Sequence, residues 1–222
     1  MSALGATDYF GLESAVNGIN CISSSTTSRS SEAKAMDGDG DAVETTIYDI
    51  DATYTSTYEI ENTKTLVLPA MGDTLPDGIY LVTGWSVSWS NTAVCQVTVT
   101  GETHVATSTY DEYTGSLTIT GGKGVPNGIT GVVTTFDTGN PISASLTGSV
   151  QVVKTLDNAG LLSDKEVYGG RIDGSVTMVL SSGDPTLTLD ANFTTLQQDS
   201  SDTSNSDYGS KTFNFFQELT GV

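Results

Sequence analysis

Apolar and polar residues alternate with a period of two along almost the whole chain. From Ile50 to Ile60 the even positions are mainly apolar or aromatic, and the odd positions are Asp, Thr and Glu. From Ile79 to Val99 the same pattern places Trp85 and Trp89 on one face, and Asn91-Thr92 divides it in two. Side chains of a β-strand point alternately to its two faces, so this period predicts half-buried strands. The second segment predicts an antiparallel hairpin that turns at Asn91-Thr92.

Other segments with this alternation predict further strands. They are residues 142–152, 172–180, 187–193 and 212–216, with shorter candidates at 31–36, 42–48, 66–68, 117–120 and 132–136. Clusters of Gly, Asp, Asn and Pro separate them, as is typical of turns, and the polar residues 197–210 predict a long flexible loop or a hairpin tip. Helical patterns are scarce, with weak candidates at 7–16 and 157–167. We therefore predict an all-β fold, an antiparallel β-sandwich or barrel with long loops and at most one or two short helices.

The length of 222 residues suits one large β domain or two small ones. We predict a single β domain over residues 1–222. The glycine-rich region 121–131 offers the best place for a division, so a first unit at 1–120 and a second β part at 121–222 are the alternative.

The chain carries 27 acidic and 8 basic residues, which gives a net charge of −19. The basic residues are scattered singly, whereas a protein that grips nucleic acid needs clustered Lys and Arg to displace counterions. Binding to DNA or to an anionic membrane is therefore not expected, although DNA could slide past such a surface without adhering. The sequence has no apolar segment long enough to cross a membrane, and residues 1–9 lack the features of a secretion signal.

The two cysteines, Cys21 and Cys95, lie far apart in the sequence and form no CxxC pair. One disulfide between them is an open alternative. We expect two free, buried thiols, because unpaired cysteine is commonly a small core residue.

The sequence offers few candidates for nucleophilic catalysis. His104 is the only histidine, so mechanisms and metal centres that need two histidines are excluded. Ser108 and Asp111 could be nominated beside His104 for a Ser-His-Asp site, but serine is so abundant that the nomination carries no information. Phosphate-loop and nucleophile-elbow motifs are absent from the sequence.

Paired carboxylates could hydrolyse a glycoside, a reaction that needs only two positioned acids. Asp111 with Glu112 and Asp49 with Asp51 are candidates, as are many pairs in so acidic a chain. The two tryptophans share the apolar face of one predicted strand, which favours a place in the core over a sugar-binding platform. We therefore predict a protein that is not an enzyme and has no catalytic or cofactor-binding residues.

The acidic segment Asp37 to Asp41, followed by Glu44, resembles the first ligand positions of a calcium loop. An EF-hand loop requires Gly at its sixth position and Glu at its twelfth, where this chain has Ala42 and Tyr48. Asp and Gly are also the residues that a hairpin turn favours. We predict a plain turn and no metal site, with calcium binding as the alternative.

The N-terminal half contains a strand, an acidic turn and a second strand in close succession. Residues 32–43, EAKAMDGDGDAV, with Tyr48 and the strand from Thr53 to Ile60, are similar to the strand, D-x-x-G-D-x-V turn and strand of some tail tube-like proteins, which are structural proteins of tailed bacteriophages. The hairpin from Gly84 to Gly101 is similar to the same class. The part beyond Thr114 departs from a minimal tube subunit and fits a surface domain or a lengthened loop system.

This resemblance implies a β-sandwich or barrel that forms rings through a continuous sheet lining a channel, with the rings stacked. It implies a virion protein, assembled in the host cytoplasm, whose partners are copies of itself and other virion proteins. DNA would pass through an acidic channel without being bound. Two alternatives stay open, namely a capsid decoration or fibre-like surface protein and a carbohydrate-binding or adhesive β-sandwich module.

Overall fold

The computed structural model describes residues 18–75, 78–105, 108, 110–113, 117–179, 184–195, 200–202 and 209–221, with the backbone alone at 200–202. Within these ranges the chain forms strands and no helix, so the predicted all-β class is confirmed. The strands are β1 (Ile19–Met36), β2 (Ala42–Ile60), β3 (Thr65–Val67), β4 (Tyr80–Ser90), β5 (Ala93–Thr103), β6 (Thr118–Thr120), β7 (Val133–Thr138), β8 (Asn140–Leu156), β9 (Leu162–Val179), β10 (Thr186–Leu189), β11 (Thr194–Thr195), β12 (Ser200–Asp202) and β13 (Ser210–Glu218).

One large antiparallel sheet contains nine of these strands. Its order is β1-β2-β5-β4-β8-β9-β13-β11, and β12 also pairs with β13. Strands β4 and β8, from the two halves of the chain, are neighbours at its centre and pair from Gly84–Ser149 to Ser90–Ser143. Two small sheets, β3-β6 and β7-β10, complete the described structure.

A single hydrophobic core connects the large sheet with both small ones. Trp85 and Trp89 of β4 are buried in it, which confirms their predicted place in the core. The Trp89 indole N–H donates a 2.9 Å hydrogen bond to the Thr120 carbonyl at the end of β6. A buried indole needs such a partner, so this bond helps to fix the β3-β6 sheet against the large sheet.

Most of the strands predicted from alternation are present, several as parts of longer strands. The hairpin predicted at residues 79–99 is confirmed as β4 and β5, with its turn at Asn91-Thr92. Residues 31–36 belong to β1, and residues 42–48 and 50–60 join in β2. The strand predicted at 187–193 ends earlier, at Leu189. The helix predicted at 7–16 and most of the loop predicted at 197–210 lie outside the described residues.

The helix predicted at residues 157–167 is wrong. Asp157 to Leu161 form a hairpin turn, and β9 begins directly after it. The Asp157 carboxylate accepts hydrogen bonds from the Ala159 and Leu161 N–H groups, both at 2.8 Å, and Gly160 has a φ of 77°. These local bonds and the left-handed glycine favour a turn over a helix.

The apolar face predicted for residues 50–60 is confirmed from Tyr54 to Ile60 and wrong at its beginning. Ile50 is 54% exposed, whereas Asp51 is only 3% exposed. A register shift in the β1–β2 pairing, with a φ of 51° at Asp49, interrupts the regular strand just before Asp51. Such a bulge re-aims the neighbouring side chains.

Two long hairpins extend past the open end of the β4–β5 hairpin, the end opposite its turn. Residues 29–51 of β1 and β2, here called the β1–β2 arm, lie beyond the pairing of β2 with β5. Residues 150–170 of β8 and β9, the β8–β9 arm, lie beyond the pairing of β8 with β4. The arms meet where the Asp49 N–H donates a 2.8 Å hydrogen bond to the Gly160 carbonyl.

Candidate functional site

The face of the large sheet opposite the tryptophans is covered by hydroxyl side chains. In β4, Ser86 and Ser88 alternate with buried Trp85, Val87 and Trp89, so the serines lie on the other face. Cross-strand neighbours share a face, and pairing therefore extends this surface from β2 to β13. We call it the hydroxyl face. Its rows, each written from β2 or β4 to β13, are Thr55-Thr100-Gly84-Ser149-Arg171-Glu218, Thr57-Thr98-Ser86-Thr147-Asp173-Phe216, Glu59-Gln96-Ser88-Ser145-Ser175-Asn214 and Ser90-Ser143-Thr177-Thr212.

Hydrogen bonds between neighbouring strands order the hydroxyl face. The hydroxyls of Thr57 and Thr98, of Ser145 and Ser175, and of Thr177 and Thr212 each lie 3.0 Å apart. β-Branched threonine favours strands, so the same residues support both the sheet and its polar surface.

Arg171 is the cation of the hydroxyl-face rows, and its charge is compensated. Its guanidinium donates to both carboxylate oxygens of Asp173, at 2.7–3.0 Å, and to Glu218 at 2.9 Å. It also lies over the Phe216 ring, 4.3 Å from the centroid. A guanidinium paired in this way has little capacity left for a phosphate.

A buried ionic cluster lies at the junction of the two arms and the end of β5. Asp51 comes from β2, Glu102 from β5 and Lys165 from β9. The side chains of Asp51 and Lys165 are fully buried. Arg29, Lys154 and Asp49 surround them at the more exposed side.

Lys165 contacts two carboxylates at hydrogen-bond distance. Its Nζ lies 3.2 and 3.3 Å from Asp51 Oδ1 and Oδ2, and 3.1 Å from Glu102 Oε2. Asp51 Oδ2 also accepts from Arg29 at 3.1 Å and from Lys154 at 3.4 Å. Paired and hydrogen-bonded in this way, charges can remain in a protein interior.

Burial and neighbouring charges act in opposite directions on the pKa of Asp51. Burial favours the neutral acid, but the charge of Lys165, followed by the hydrogen bonds from Arg29, the Ala52 N–H and Lys165, outweighs it. The pKa of the Asp51 carboxyl is lowered to about 2 as a result. Asp51 is therefore ionised at neutral pH.

One carboxylate pair named from the sequence does meet in the structure, in a different chemical setting. Asp49 and Asp51 both lie in the ionic cluster, where Lys154 contacts Asp49 at 2.7 Å and Asp51 at 3.4 Å. Sequence reasoning missed Lys165 and Arg29 as their partners, because basic residues scattered along the chain converge only through strand pairing. One signal was available in the sequence. Lys165 lies two positions before Val167 in β9 and therefore on the same, apolar face of the strand.

Two of the residues nominated for a Ser-His-Asp site have other partners. The Ser108 hydroxyl donates to Asp164 at 2.5 Å and accepts from the Lys165 N–H at 3.2 Å. The His104 ring packs against Tyr110, with 5.4 Å between the centroids. Among the described residues, hydrogen bonds do not join the His104 ring to Ser108 or Asp111.

The acidic segment at Asp37 forms a hairpin turn, as its Asp and Gly residues predicted. The Asp37 carboxylate accepts from the N–H groups of Asp39 and Asp41, at 3.0 and 2.9 Å, and Gly40 has a φ of 88°. Over the described part of the chain, no group of three or more His, Cys, Asp or Glu residues is placed to hold a metal ion.

Both cysteines are free in the structure, in agreement with the expectation of unpaired thiols. Cys95 is buried, and its burial raises the pKa of its thiol to about 12. Cys21 is only partly buried, which differs from the prediction.

The described residues contain no helix long and apolar enough to cross a membrane. Compared with known proteins, the chain matches no protein-family model and no curated protein. The hydroxyl face and the ionic cluster are the two features of the described residues that bear on function.

Proposed function

We propose that this chain is a non-enzymatic structural subunit of a virion, one that self-assembles into a tail tube-like ring through which DNA passes. The hydroxyl face carries the proposal. A surface along which DNA moves must not hold phosphates, and this face presents hydroxyls with one cation, Arg171, already paired.

The distribution of charge over the large sheet changes what we expect of the channel wall. The charged residues in the hydroxyl-face rows are Glu59, Arg171, Asp173 and Glu218, a small share of a net charge of −19. If this face lines the channel, its wall is close to neutral and slightly acidic. DNA would then fail to adhere mainly because the face has few unpaired cations to bind its phosphates. Repulsion between phosphates and carboxylates adds to this effect.

The edge of the large sheet supplies a means of assembly. In the described part of the chain, β1 lies at the end of the strand order, is 18 residues long and has no strand paired with its outer edge, so another chain could pair there. Natural monomers usually keep edge strands short or protect them with charge. Pairing of this edge with a second subunit would continue the sheet around a ring.

Electron microscopy with sedimentation velocity tests the proposal directly. We expect purified protein at high concentration to form rings or tubes that sediment as a large species. A monomer at all concentrations, with native far-UV circular dichroism, would contradict self-assembly. A monomer that binds glycans would favour the adhesive module instead.

Cysteine labelling tests whether the hydroxyl face lines the channel. In a Cys21→Ser background, Ser88→Cys places a thiol on this face, and Thr134→Cys places a control thiol on exposed β7. Buried Cys95 stays unreactive because its thiol pKa is raised. We expect assembly to protect position 88, but not position 134, from a maleimide attached to a large polymer. If assembly protected the thiols at positions 88 and 134 to the same extent, this face would be excluded as the channel wall.

A further inference from the structure

The ionic cluster holds an amine and a carboxyl group in a position suited to covalent reaction. Lys165 Nζ contacts both oxygens of Asp51, at 3.2 and 3.3 Å, so it lies beside the carboxyl carbon Cγ. Both side chains are fully buried. Reacting groups held at such separations in a protein gain a large advantage over the same groups in solution.

We propose that Lys165 and Asp51 form an intramolecular isopeptide bond, Nζ to Cγ, with Glu102 transferring the protons. This self-modification is independent of the proposed virion function. It would join β2 to β9 covalently, across 114 residues of sequence.

The reaction is balanced without any added reagent. A Lys165 ammonium and an Asp51 carboxylate give one amide and one water molecule, with no net gain or loss of protons or electrons. The Lys165 ammonium first gives one proton to Glu102, and the lone pair of the resulting amine attacks Cγ. Glu102 passes this proton, and then the second N–H proton, to one former carboxyl oxygen, which departs as water when its bond to Cγ breaks.

Glu102 is placed to move these protons. Its Oε2 lies 3.1 Å from Lys165 Nζ and can accept a proton from the amine. Arg29 bridges the two carboxylates, 3.1 Å from Asp51 Oδ2 and 3.4 Å from Glu102 Oε1, and so keeps them side by side. A carboxylate within hydrogen-bond reach of the proton it abstracts meets the geometric requirement for a general base.

The remaining groups around Asp51 act on the reaction in two ways. Arg29, Lys154 and the Ala52 N–H, which lies 2.8 Å from Oδ1, would stabilise the oxyanion of a tetrahedral intermediate. The two cations also stabilise the starting carboxylate, with the neighbouring Asp49 offsetting part of their charge. We therefore expect the bond to form slowly after folding, over hours to days.

Mass spectrometry of the purified full-length chain tests the proposal. We expect the intact mass to fall with time by the mass of one water molecule. Because succinimide formation at an Asp-Gly step such as Asp173-Gly174 causes the same loss, the decisive product is a branched tryptic peptide joining Asp51 to Lys165. Trypsin would also fail to cleave after Lys165.

Three variants assign the roles. Lys165→Arg keeps the positive charge but should abolish the branched peptide, whereas Lys123→Arg, at an exposed lysine outside the ionic cluster, should retain it. Glu102→Gln should slow its formation at least tenfold, with circular dichroism confirming that the variant folds. An unchanged wild-type mass after several days in the folded state would overturn the proposal and leave the cluster as ion pairs. Formation at an unchanged rate in Glu102→Gln would overturn the role of Glu102.

Discussion

At the scale of single residues, close packing of side chains against glycines limits which substitutions the large sheet tolerates. Gly174 pairs with buried Phe215 across β9 and β13, and a Cβ there would lie 2.1 Å from Phe215 Cε2. We predict that Gly174→Ala lowers the free energy of unfolding by about 2 kcal/mol or more, since an aromatic side chain in a filled core cannot move aside without strain. Chemical denaturation measures this change.

Gly38 in the turn of the β1–β2 arm provides the matched control. A Cβ there would meet nothing within 4 Å, and Gly38 is not among the glycines with positive φ. Gly38→Ala should change the unfolding free energy by less than about 0.5 kcal/mol. Equal losses in the two variants would show that Gly174 does not pack against Phe215.

Asp51 makes the stability of the ionic cluster depend on pH. Its folded pKa of about 2 lies below the ordinary value of 3.8, so the ionised carboxyl stabilises the fold above pH 3.8. We predict that protein without the isopeptide bond loses about 2 kcal/mol of this stabilisation as the pH falls from 3.8 towards 2. Denaturation across this range, with Asp51→Asn as the variant that lacks the step, measures the loss. A pH profile identical to that of Asp51→Asn would contradict the assigned ion pairs.

The sequence predicts correctly which residues are buried where the alternation of apolar and polar positions is undisturbed. Tyr54 and the two tryptophans lie in the core as expected. Asp51 and Lys165 could not be placed, because a buried charge depends on a partner that is remote in sequence and approaches only after the arms have met. The bulge at Asp49 also changes the face on which Ile50 lies, and the sequence around it has no Gly to indicate the bulge.

At the scale of elements, the two arms end in turns of the same design. In Asp37 to Asp41 and in Asp157 to Leu161, the first carboxylate accepts from the third and fifth N–H groups. In both, the fourth residue is a glycine with positive φ, Gly40 at 88° and Gly160 at 77°. The first turn is evident from its sequence. The second resembles the start of a helix because two consecutive leucines, Leu161 and Leu162, lie at its end. Only the D-x-x-G spacing that it shares with the first turn indicates a turn.

The two turn glycines differ in their surroundings, which permits a comparison of matched variants. We predict that Gly40→Ala costs about 1 kcal/mol, the cost of a left-handed alanine in open space. Gly160→Ala should cost at least twice as much, because its Cβ would lie 2.7 Å from Tyr48 Cβ. Thermal unfolding of the two variants measures the difference. Equal shifts of Tm would contradict contact between the arms.

At the scale of the whole molecule, the chain combines a large excess of negative charge with a hydroxyl face that is only slightly acidic. A net charge of −19 opposes association of identical chains unless they meet through uncharged surface. Residues 22–28 of β1, ISSSTTS, carry no charge. Among the described strands, the β1 edge is thus both unpaired and locally neutral. Composition predicted the charge, but only the strand order shows that this neutral segment lies at the edge of the sheet.

Acidic substitutions in this edge should block assembly while leaving the monomer folded. Ser25 and Thr27 are exposed on β1, and their side chains make no hydrogen bond with another side chain in the described part of the chain. We predict that Ser25→Asp/Thr27→Asp reduces the assembled fraction at least tenfold in sedimentation velocity, because two new charges would repel a partner strand. The control Thr134→Asp/Gln151→Asp adds the same charge at exposed positions of β7 and β8 and should assemble as the wild type does. A loss of assembly in both variants would attribute the effect to net charge, and a loss in neither would exclude β1 as the joint between subunits.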